Sequence, residues 1–199
     1  MQLNRAMIYL FGYLLMCWSI AQMLQVATLG IHPWINFYYA LSNTVGMLPG
    51  TWDVIISAFT VIVIFTLSRT KYFGIHTIFT LLGGLLVNFF CEYKLFINPQ
   101  HQIEAWSLLV VSATGAGLGG GISNSTGFGN SLRTGLVIMI KDRFQSQFIK
   151  TKLIVELTLL CFVFMMLHYL AIGTLIIYII DTYAMGWIMP KVTHYLMKN

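Results

Sequence analysis

Charged side chains are scarce in this chain, making up only 9% of its 199 residues. Soluble globular domains carry about 25%, so the composition excludes a soluble enzyme or a soluble binding domain. Hydrophobic residues make up 58% of the sequence instead. No linker or soluble domain is visible, and the composition predicts a single polytopic membrane domain over residues 1–199.

Cysteine is also rare, and Cys17, Cys91 and Cys161 lie in or beside apolar stretches. An odd number of cysteines without C-x-x-C spacing predicts neither a disulfide framework nor a zinc site. The five histidines have no metal-like spacing either. The chain contains no nucleophile elbow, H-E-x-x-H motif or phosphate-binding loop. We therefore expect a protein that is not an enzyme and that holds neither a metal nor a cofactor.

Long apolar segments are what the sequence has in abundance. Six of them reach or approach the length of about 20 helical residues that a bilayer core requires. They lie near residues 6–27, 53–68, 74–91, 104–123, 152–169 and 171–190. The first is longer than the apolar part of a secretory signal and lacks a small-residue cleavage site, which is typical of an uncleaved span. The sequence thus predicts an all-α, six-span protein that contacts the lipid bilayer.

The basic residues predict how these spans are oriented. Ten Lys and Arg side chains fall on one side of the membrane in this arrangement, and only Lys94 falls on the other. Cytoplasmic loops are enriched in Lys and Arg, so both termini are predicted to be cytoplasmic. The net charge of +5 does not indicate nucleic acid, because the basic residues flank apolar spans instead of gathering on one solvated face.

Two short matches at an offset of 97 residues predict an internal duplication. The segment around Gly30 resembles the segment around Gly127, and residues 75–77 resemble residues 172–174. Residues 1–97 then form repeat one and residues 98–199 form repeat two, with three spans each. Because three is odd, the second repeat is expected to enter the membrane inverted, an arrangement typical of secondary transporters.

Each repeat also contains a segment that predicts a short helix. Residues 35–45 follow Pro33 and precede Pro49, and prolines favour the first position of a helix. This helix either lies on the outer membrane surface or re-enters the bilayer, and the sequence leaves both alternatives open. Residues 130–140 occupy the equivalent place in the second repeat, on the cytoplasmic side.

A glycine-rich stretch over residues 114–133 holds seven of the 17 glycines. Its G-x-G-x-x-G spacing resembles a dinucleotide-binding motif, but that motif needs a soluble strand–loop–helix unit. We favour close helix packing through two G-x-x-x-G pairs. The alternative is a kink or a backbone contact with a substrate. The candidate packing residues are Gly115, Gly117, Gly119 and Gly121.

Arg133 is the most suggestive charge, because it lies just inside the start of the second short helix. A guanidinium beside a helix N-terminus is suited to an anionic group. The alternative is a membrane-flanking arginine that follows the positive-inside pattern. The hypothetical substrate-binding site at the interface of the repeats comprises Trp34, Asn124, Asn130, Ser131 and Arg133.

Intramembrane carboxylates are costly unless they are paired, protonated or hydrated. Glu156 lies about one helical turn inside the fifth span, where Lys152 or the arginine named above could neutralise it. Asp181 lies near the middle of the sixth span and has only Asn88 as a possible neighbour. These residues predict either proton coupling or structural hydrogen bonds between helices. Asp53 belongs to the same polar group, although capping of the second span is the favoured role.

Short motifs along the chain resemble those of a known family. They lie at residues 29–34, 48–53 and 74–77 in the first half, and at 127–135, 152–156 and 172–174 in the second. In order and spacing they resemble the bacterial YczE/YyaS-type integral membrane proteins, which are related to the wider YitT-like group. The chain departs from that pattern at Thr134, where the family usually has Asp, and at Asn88, where it often has an acidic residue.

The resemblance implies a small multi-span protein of the bacterial cytoplasmic membrane, in a family whose activity is largely undefined. The repeats and the buried carboxylates favour a transporter of a small or amphipathic solute, with Glu156 or Asp181 as a proton-coupling group. The alternative is a membrane partner that transports nothing itself. Such a partner would be a substrate-capture subunit of an ATP-driven module, or an accessory protein to a synthase or exporter. It would dock through the basic residues 141–152.

Overall fold

The computed structural model describes residues 2–47, 49–68, 97–128, 131–167 and 170–198, and the single positions 79, 83, 86, 87, 89, 90 and 93. The continuous ranges form seven α-helices, and no described residue lies in a strand, which confirms the all-α prediction for this part of the chain. The helices are α1 (Gln2–Gln25), α2 (Pro33–Val45), α3 (Pro49–Ser68), α4 (Gln102–Asn124), α5 (Leu132–Phe144), α6 (Phe148–Leu167) and α7 (Ile172–Lys198).

In the described part of the chain, three helices are long and apolar enough to cross a membrane, namely Leu3–Gln25 within α1, the whole of α4 and the whole of α7. Helix α3 is apolar over Thr51–Leu67, which is shorter than a full crossing. Helix α6 has 20 residues but carries three charged side chains. The predicted span at residues 74–91 lies largely outside the described residues. The six-span arrangement therefore stays a prediction.

Helix α4 lies between α1 and α7, and its glycines allow the backbones to approach closely. Gly115 and Gly119 contact α1, whereas Gly117 and Gly121 contact α7. A Cβ atom at Gly119 would lie 2.6 Å from the carbonyl oxygen of Gly12. Two interleaved G-x-x-x-G pairs thus present one glycine face to each neighbouring helix.

The same three helices enclose an apolar core. Met23 of α1, Leu109 of α4 and Ile177 of α7 are all buried there. Burying such side chains stabilises the packed helices by about 1.5–3 kcal/mol per residue in water, and close van der Waals contact takes over this role inside a bilayer. Helices α1, α4 and α7 therefore form a framework, which α2 and α6 contact through α7.

Helix lengths and contacts recur between the two halves of the chain. Helices α2 and α5 both have 13 residues, and α3 and α6 both have 20. Helix α2 packs against α6, and the equivalent pair, α5 and α3, is also in contact. The helices correspond at an offset of 99 residues, close to the 97 of the short motifs. The pairs of helix ends that show this offset are Gln25 and Asn124, Val45 and Phe144, and Ser68 and Leu167. That the second half enters the membrane inverted stays a prediction.

The start of α2 is held against the start of α7. The amide of Gly173 donates a hydrogen bond to the carbonyl oxygen of Leu29 (2.9 Å), and the amide of Ile31 donates to Oγ1 of Thr174 (3.2 Å). Gly30 adopts a φ of +154°, and a side chain there would collide with the backbone of Thr174. Glycine is required at this turn because only it combines that conformation with so close an approach.

Side-chain caps begin the two short helices at equivalent positions. His32 caps α2, where its Nδ1 atom accepts a hydrogen bond from the amide of Trp34 (3.4 Å). Ser131, 99 residues later, caps α5 by accepting a hydrogen bond from the amide of Thr134 (3.2 Å). Pro33 follows the first cap at the position where a missing N–H group costs least. Both caps fix the direction in which the short helices leave their turns.

Candidate functional site

A cavity of about 420 Å³ lies among the helices, and all seven helices contribute to its walls. This volume falls within the range of small-molecule sites, which is about 300–1,000 Å³. Most of the lining is aliphatic or aromatic, and the charged side chains form two separate groups. Apolar and aromatic lining residues include Tyr13, Ile20, Trp34, Val54 and Val87.

The first charged group, which we term the arginine pair, consists of Asp53 and Arg133. Nη2 of Arg133 donates a hydrogen bond to Oδ1 of Asp53 (2.9 Å), and the two side chains are 37% and 45% exposed. The sequence favours capping for Asp53 because the second span is predicted to begin at residue 53. Helix α3 begins four residues earlier, at Pro49, so Asp53 lies in the second turn and faces Arg133.

The arginine pair also joins the two short helices. Cζ of Arg133 lies 5.7 Å from the ring centroid of Trp34 and 5.5 Å from that of Tyr38, both of which are buried. A guanidinium at this distance from an aromatic ring is attracted to it, and more so where water is excluded. Trp34 and Arg133 are the second residues of α2 and α5, so the halves meet at equivalent positions.

The second charged group, which we term the lysine cluster, consists of His32, Lys152, Glu156, Asp181 and Thr182. Nζ of Lys152 lies 2.5 Å from Oδ2 of Asp181, 2.8 Å from Oε1 of Glu156 and 3.2 Å from Oγ1 of Thr182. An ammonium group has three N–H donors, and each has an acceptor here. The hydroxyl of Thr182 donates in turn to Oε2 of Glu156 (3.3 Å). Burial of these charges is tolerated because they satisfy one another.

His32 extends the lysine cluster from the start of α2. Its Nε2 atom lies 3.6 Å from Oδ2 of Asp181, which is an electrostatic contact and too long for a hydrogen bond. An Nδ1 atom that accepts the amide hydrogen of Trp34 has no hydrogen of its own, so this hydrogen bond corresponds to the tautomer with its hydrogen on Nε2. The lysine cluster then contains one positive and two negative charges, so its net charge is −1.

The cluster also contains donor atoms of the types that bind metals. One ligand atom each from His32, Glu156 and Asp181 lie within 4.8 Å of one another. Nζ of Lys152, however, contacts both carboxylates at 2.8 Å or less. A metal ion placed between them would displace the ammonium and leave a buried positive charge without a partner. The arrangement therefore fits an ion-pair network better than a metal site.

The remaining predicted substrate-binding residues lie near the arginine pair. The side-chain amide of Asn124 donates to the carbonyl oxygen of Gly120 (2.6 Å), and its Oδ1 accepts from the amide of Ser131 (2.8 Å). Asn124 thus holds the turn between α4 and α5, and both it and Ser131 line the cavity. Trp34 and Arg133 line the same cavity. Asn130 and Asn88 lie outside the described residues.

The sequence offers Lys152 or Arg133 as the partner of Glu156, and only Asn88 as a possible neighbour of Asp181. In the structure Glu156 pairs with Lys152, whereas Arg133 pairs with Asp53. The structure adds Lys152, which reaches Asp181 across 29 residues of chain, and His32, which lies 149 residues away. A signal for His32 was present, because a polar residue directly before a proline is typical of a helix cap. Its proximity to Asp181 depends on the packing of α2 against α6 and α7 and has no local signal.

Comparisons with known proteins give a family and one relative. A family described as a family of unknown function, DUF6198, matches residues 3–190 of this chain. The chain is similar to a protein of Bacillus subtilis (strain 168) named uncharacterized membrane protein YczE, with 27% identity over 187 residues, covering 92% of this chain and 84% of that protein. No solved structure matches. The relative and the three long apolar helices indicate a membrane protein.

Proposed function

We propose that this protein, which belongs to the DUF6198 family of unknown function, transports a small or amphipathic solute across the bacterial cytoplasmic membrane. The observation that carries the proposal is the cavity itself. It lies where the two halves of the chain meet, and charged side chains line it although most of its wall is apolar. A cavity needed only for stability would be filled by side chains, because voids and buried charges both cost free energy.

The repeated architecture also supports the transport proposal, because helices α1, α2 and α3 correspond to helices α4, α5 and α6. In transporters built from inverted repeats, the substrate site lies between the repeats and is formed by interrupted helices. Here the two short helices meet at Trp34 and Arg133, beside the cavity. We propose that the chain crosses the membrane six times, with residues 74–91 as the third span, an inverted second half and both termini in the cytoplasm. A relationship to the wider YitT-like group fits the same plan.

The mechanism follows from the cost of charges inside a membrane. Each positive lining residue of the described chain, Arg133 or Lys152, is paired with a carboxylate, so an anionic solute must compete with an existing ion pair. Protonation of Glu156 or Asp181 would release Lys152 from one of its two partners. Proton binding and solute binding are thereby coupled through the lysine cluster.

A two-step experiment tests transport. The tagged full-length protein is purified from its native membrane in mild detergent, and the small molecules that accompany it are identified by mass spectrometry. Uptake of the identified molecule is then measured in vesicles that contain the purified protein. We expect Asp181→Asn and Arg133→Gln to reduce the uptake rate at least tenfold, which corresponds to about 1.4 kcal/mol.

The matched control is Asp142→Asn, because Asp142 is a carboxylate outside the cavity that pairs with Lys141 (3.1 Å). Uptake by the Asp142→Asn variant should equal uptake by the unchanged protein. Uptake that is unaffected by both cavity substitutions would remove the assigned roles. A protein that carries no small molecule, and instead purifies in fixed ratio with an ATPase, synthase or exporter, would favour the non-transporting partner.

If the protein is a non-transporting partner, fewer basic residues within 141–152 are available for docking than the sequence predicts. Within residues 141–152, Lys152 is buried in the lysine cluster and Lys141 pairs with Asp142. Arg143 and Lys150 are exposed and remain for docking.

A further inference from the structure

We infer that the cavity accepts an amphipathic organic cation, and that this cation exchanges with one proton at the lysine cluster. The inference rests on the proposed transport function and names the substrate class for the same site. It is drawn from a count of the charges that face the cavity and from the tautomer of His32.

The charges of the described lining residues do not balance. Asp53 and Arg133 neutralise each other in the arginine pair. The lysine cluster holds Lys152 against both Glu156 and Asp181, which leaves one negative charge in excess. An uncompensated charge in a buried site is costly. The cluster therefore favours the arrival of one further positive charge.

A proton is one source of that charge. On Nδ1 of His32 it would remove the acceptor that caps α2 at Trp34, and on a carboxylate oxygen of Glu156 or Asp181 it would weaken a contact with Lys152. The positive group of a bound solute can also supply this charge. It leaves both the cap of α2 and the carboxylate contacts of Lys152 in place. Because one positive charge is enough to balance the cluster, the proton and the cationic solute compete for the same site.

Few titratable groups of the neighbouring helices face the lysine cluster among the described residues. The described lining residues of α4 are Ala116, Gly120 and Asn124, none of which titrates. The hydroxyl of Tyr178 in α7 is already hydrogen-bonded, because it donates to the carbonyl oxygen of Leu153 (2.8 Å). The other titratable or charged groups of the described residues that face the cavity are Tyr13, Cys17, Tyr38, Tyr39, Asp53 and Arg133.

An anionic solute fits the described cavity less well. Arg133 and Lys152, the positive lining residues, are already paired with carboxylates. An anion would have to separate one of these pairs and would add to an existing negative charge. The aliphatic and aromatic walls suit an apolar body attached to the charge. Together these features select an organic cation with apolar substituents.

Two ions of the same shape and opposite charge test the inference directly. Tetraphenylphosphonium and tetraphenylborate each carry four phenyl groups around one central atom. Binding of each ion to the full-length protein in detergent is measured by equilibrium dialysis, and binding to protein-free micelles is subtracted. Tetraphenylphosphonium should bind at one per chain, whereas tetraphenylborate should not bind above the micelle background.

Proton release gives the second readout. Where the empty cluster is protonated, the affinity for tetraphenylphosphonium should rise about tenfold per pH unit, because one proton leaves for each cation bound. The released protons are counted in a weakly buffered solution. Preferential binding of tetraphenylborate, or cation binding that neither depends on pH nor releases protons, would overturn the inference. This comparison uses the unchanged chain and needs no variant to fold.

A pair of variants tests whether cation binding depends on the net charge of the lysine cluster or on its individual side chains. Asp181→Asn brings the cluster to zero net charge, so cation binding should fall at least tenfold. Adding Lys152→Met to that variant leaves Glu156 as one negative charge, and binding with proton release should return. Folding of both variants is checked by gel filtration, and Asp142→Asn is the control outside the cavity. Loss of binding in a well-folded double variant would contradict the charge count.

The outcomes distinguish this inference from the proposed function. An anionic native solute that is taken up into vesicles would overturn the cation assignment and leave transport standing. Cation binding with proton release, in a protein that moves neither the cation nor any accompanying molecule across a vesicle membrane, would support the site and remove transport.

Discussion

Asp53 and Lys152 occupy equivalent positions, since each is the fifth residue of a 20-residue helix, but they carry opposite charges. Each binds an oppositely charged side chain of another helix, Arg133 in one case and Asp181 in the other. Their burial differs greatly, because the side chain of Asp53 is 45% exposed and that of Lys152 is 7% exposed. The two equivalent ion pairs should therefore differ in their contribution to stability.

Replacing Asp53 should have a small effect on stability. In Asp53→Asn the exposed pair is lost, and exposed pairs contribute less than about 1 kcal/mol. Arg133 retains its contacts with the rings of Trp34 and Tyr38. Reversible unfolding of the purified protein, followed by circular dichroism in detergent, measures the change. A loss of several kcal/mol would show that the pair is shielded from water.

Replacing Lys152 should have a large effect. Lys152→Met leaves Glu156 and Asp181 buried without their common partner, which should cost about 3–5 kcal/mol. The same unfolding measurement applies. The double variant Lys152→Met with Asp181→Asn removes one of the two unpaired charges and should recover part of the loss. Equal stability of the single and double variants would mean that charge repulsion is not the cause.

The glycine faces of α4 should be sensitive at single positions. Gly119→Ala places a methyl group 2.6 Å from the carbonyl oxygen of Gly12, so α1 must move, at a cost of about 1–3 kcal/mol. The neighbouring Gly120→Ala is the control for stability, because its nearest contact is Sδ of Met16 at 3.5 Å. The thermal unfolding temperatures of the two variants are compared. A similar fall in both would argue against direct backbone contact.

The cap of α5 should position Arg133. Ser131→Ala removes the acceptor for the amide of Thr134 and should cost about 1 kcal/mol. It should also weaken the contact of Arg133 with Trp34, which tryptophan fluorescence reports. Ser131→Thr keeps the hydroxyl and should restore both properties. A fluorescence change in Ser131→Thr as large as that in Ser131→Ala would contradict this role.

The orientation of the chain can be tested with two matched cysteine substitutions. Gln100 and Gln147 are both exposed, and the distribution of Lys and Arg predicts that they lie on opposite sides of the membrane. In a background with Cys17, Cys91 and Cys161 replaced by serine, an impermeant maleimide should label Gln100→Cys in intact cells. Gln147→Cys should react only after the cells are opened. Labelling of both positions from outside would overturn the orientation.

Local patterns in the sequence predicted much of the helical framework. Helix α4, predicted over residues 104–123, spans Gln102–Asn124, because long apolar segments have few alternatives to a helix in a membrane. Lys152 and Glu156 are one turn apart, so their contact follows from helix geometry alone. The glycine spacing in α4 likewise indicated which residues meet neighbouring helices, although it did not identify those helices.

The composition of the site could not be predicted in the same way. The contacts of Asp181 with Lys152 and His32 join three helices, and the sequence has no periodic signal for such distant pairs. Capping is the favoured role for Asp53 in the sequence because the second span is predicted over residues 53–68, whereas α3 begins at Pro49. A shift of four residues at a helix start changes the partner of a side chain, and helix boundaries are the least reliable part of sequence interpretation.

The single excess negative charge of the lysine cluster has a consequence for the energy source of transport. If one proton leaves for each organic cation that enters, equal charges move in opposite directions and no net charge crosses the membrane. The transmembrane voltage, worth about 2.3 kcal/mol per charge at 100 mV, then does no work on the cycle. Such an exchanger would respond to the pH gradient and to the concentration gradient of the cation, and a potassium ionophore that collapses the voltage would leave its rate unchanged.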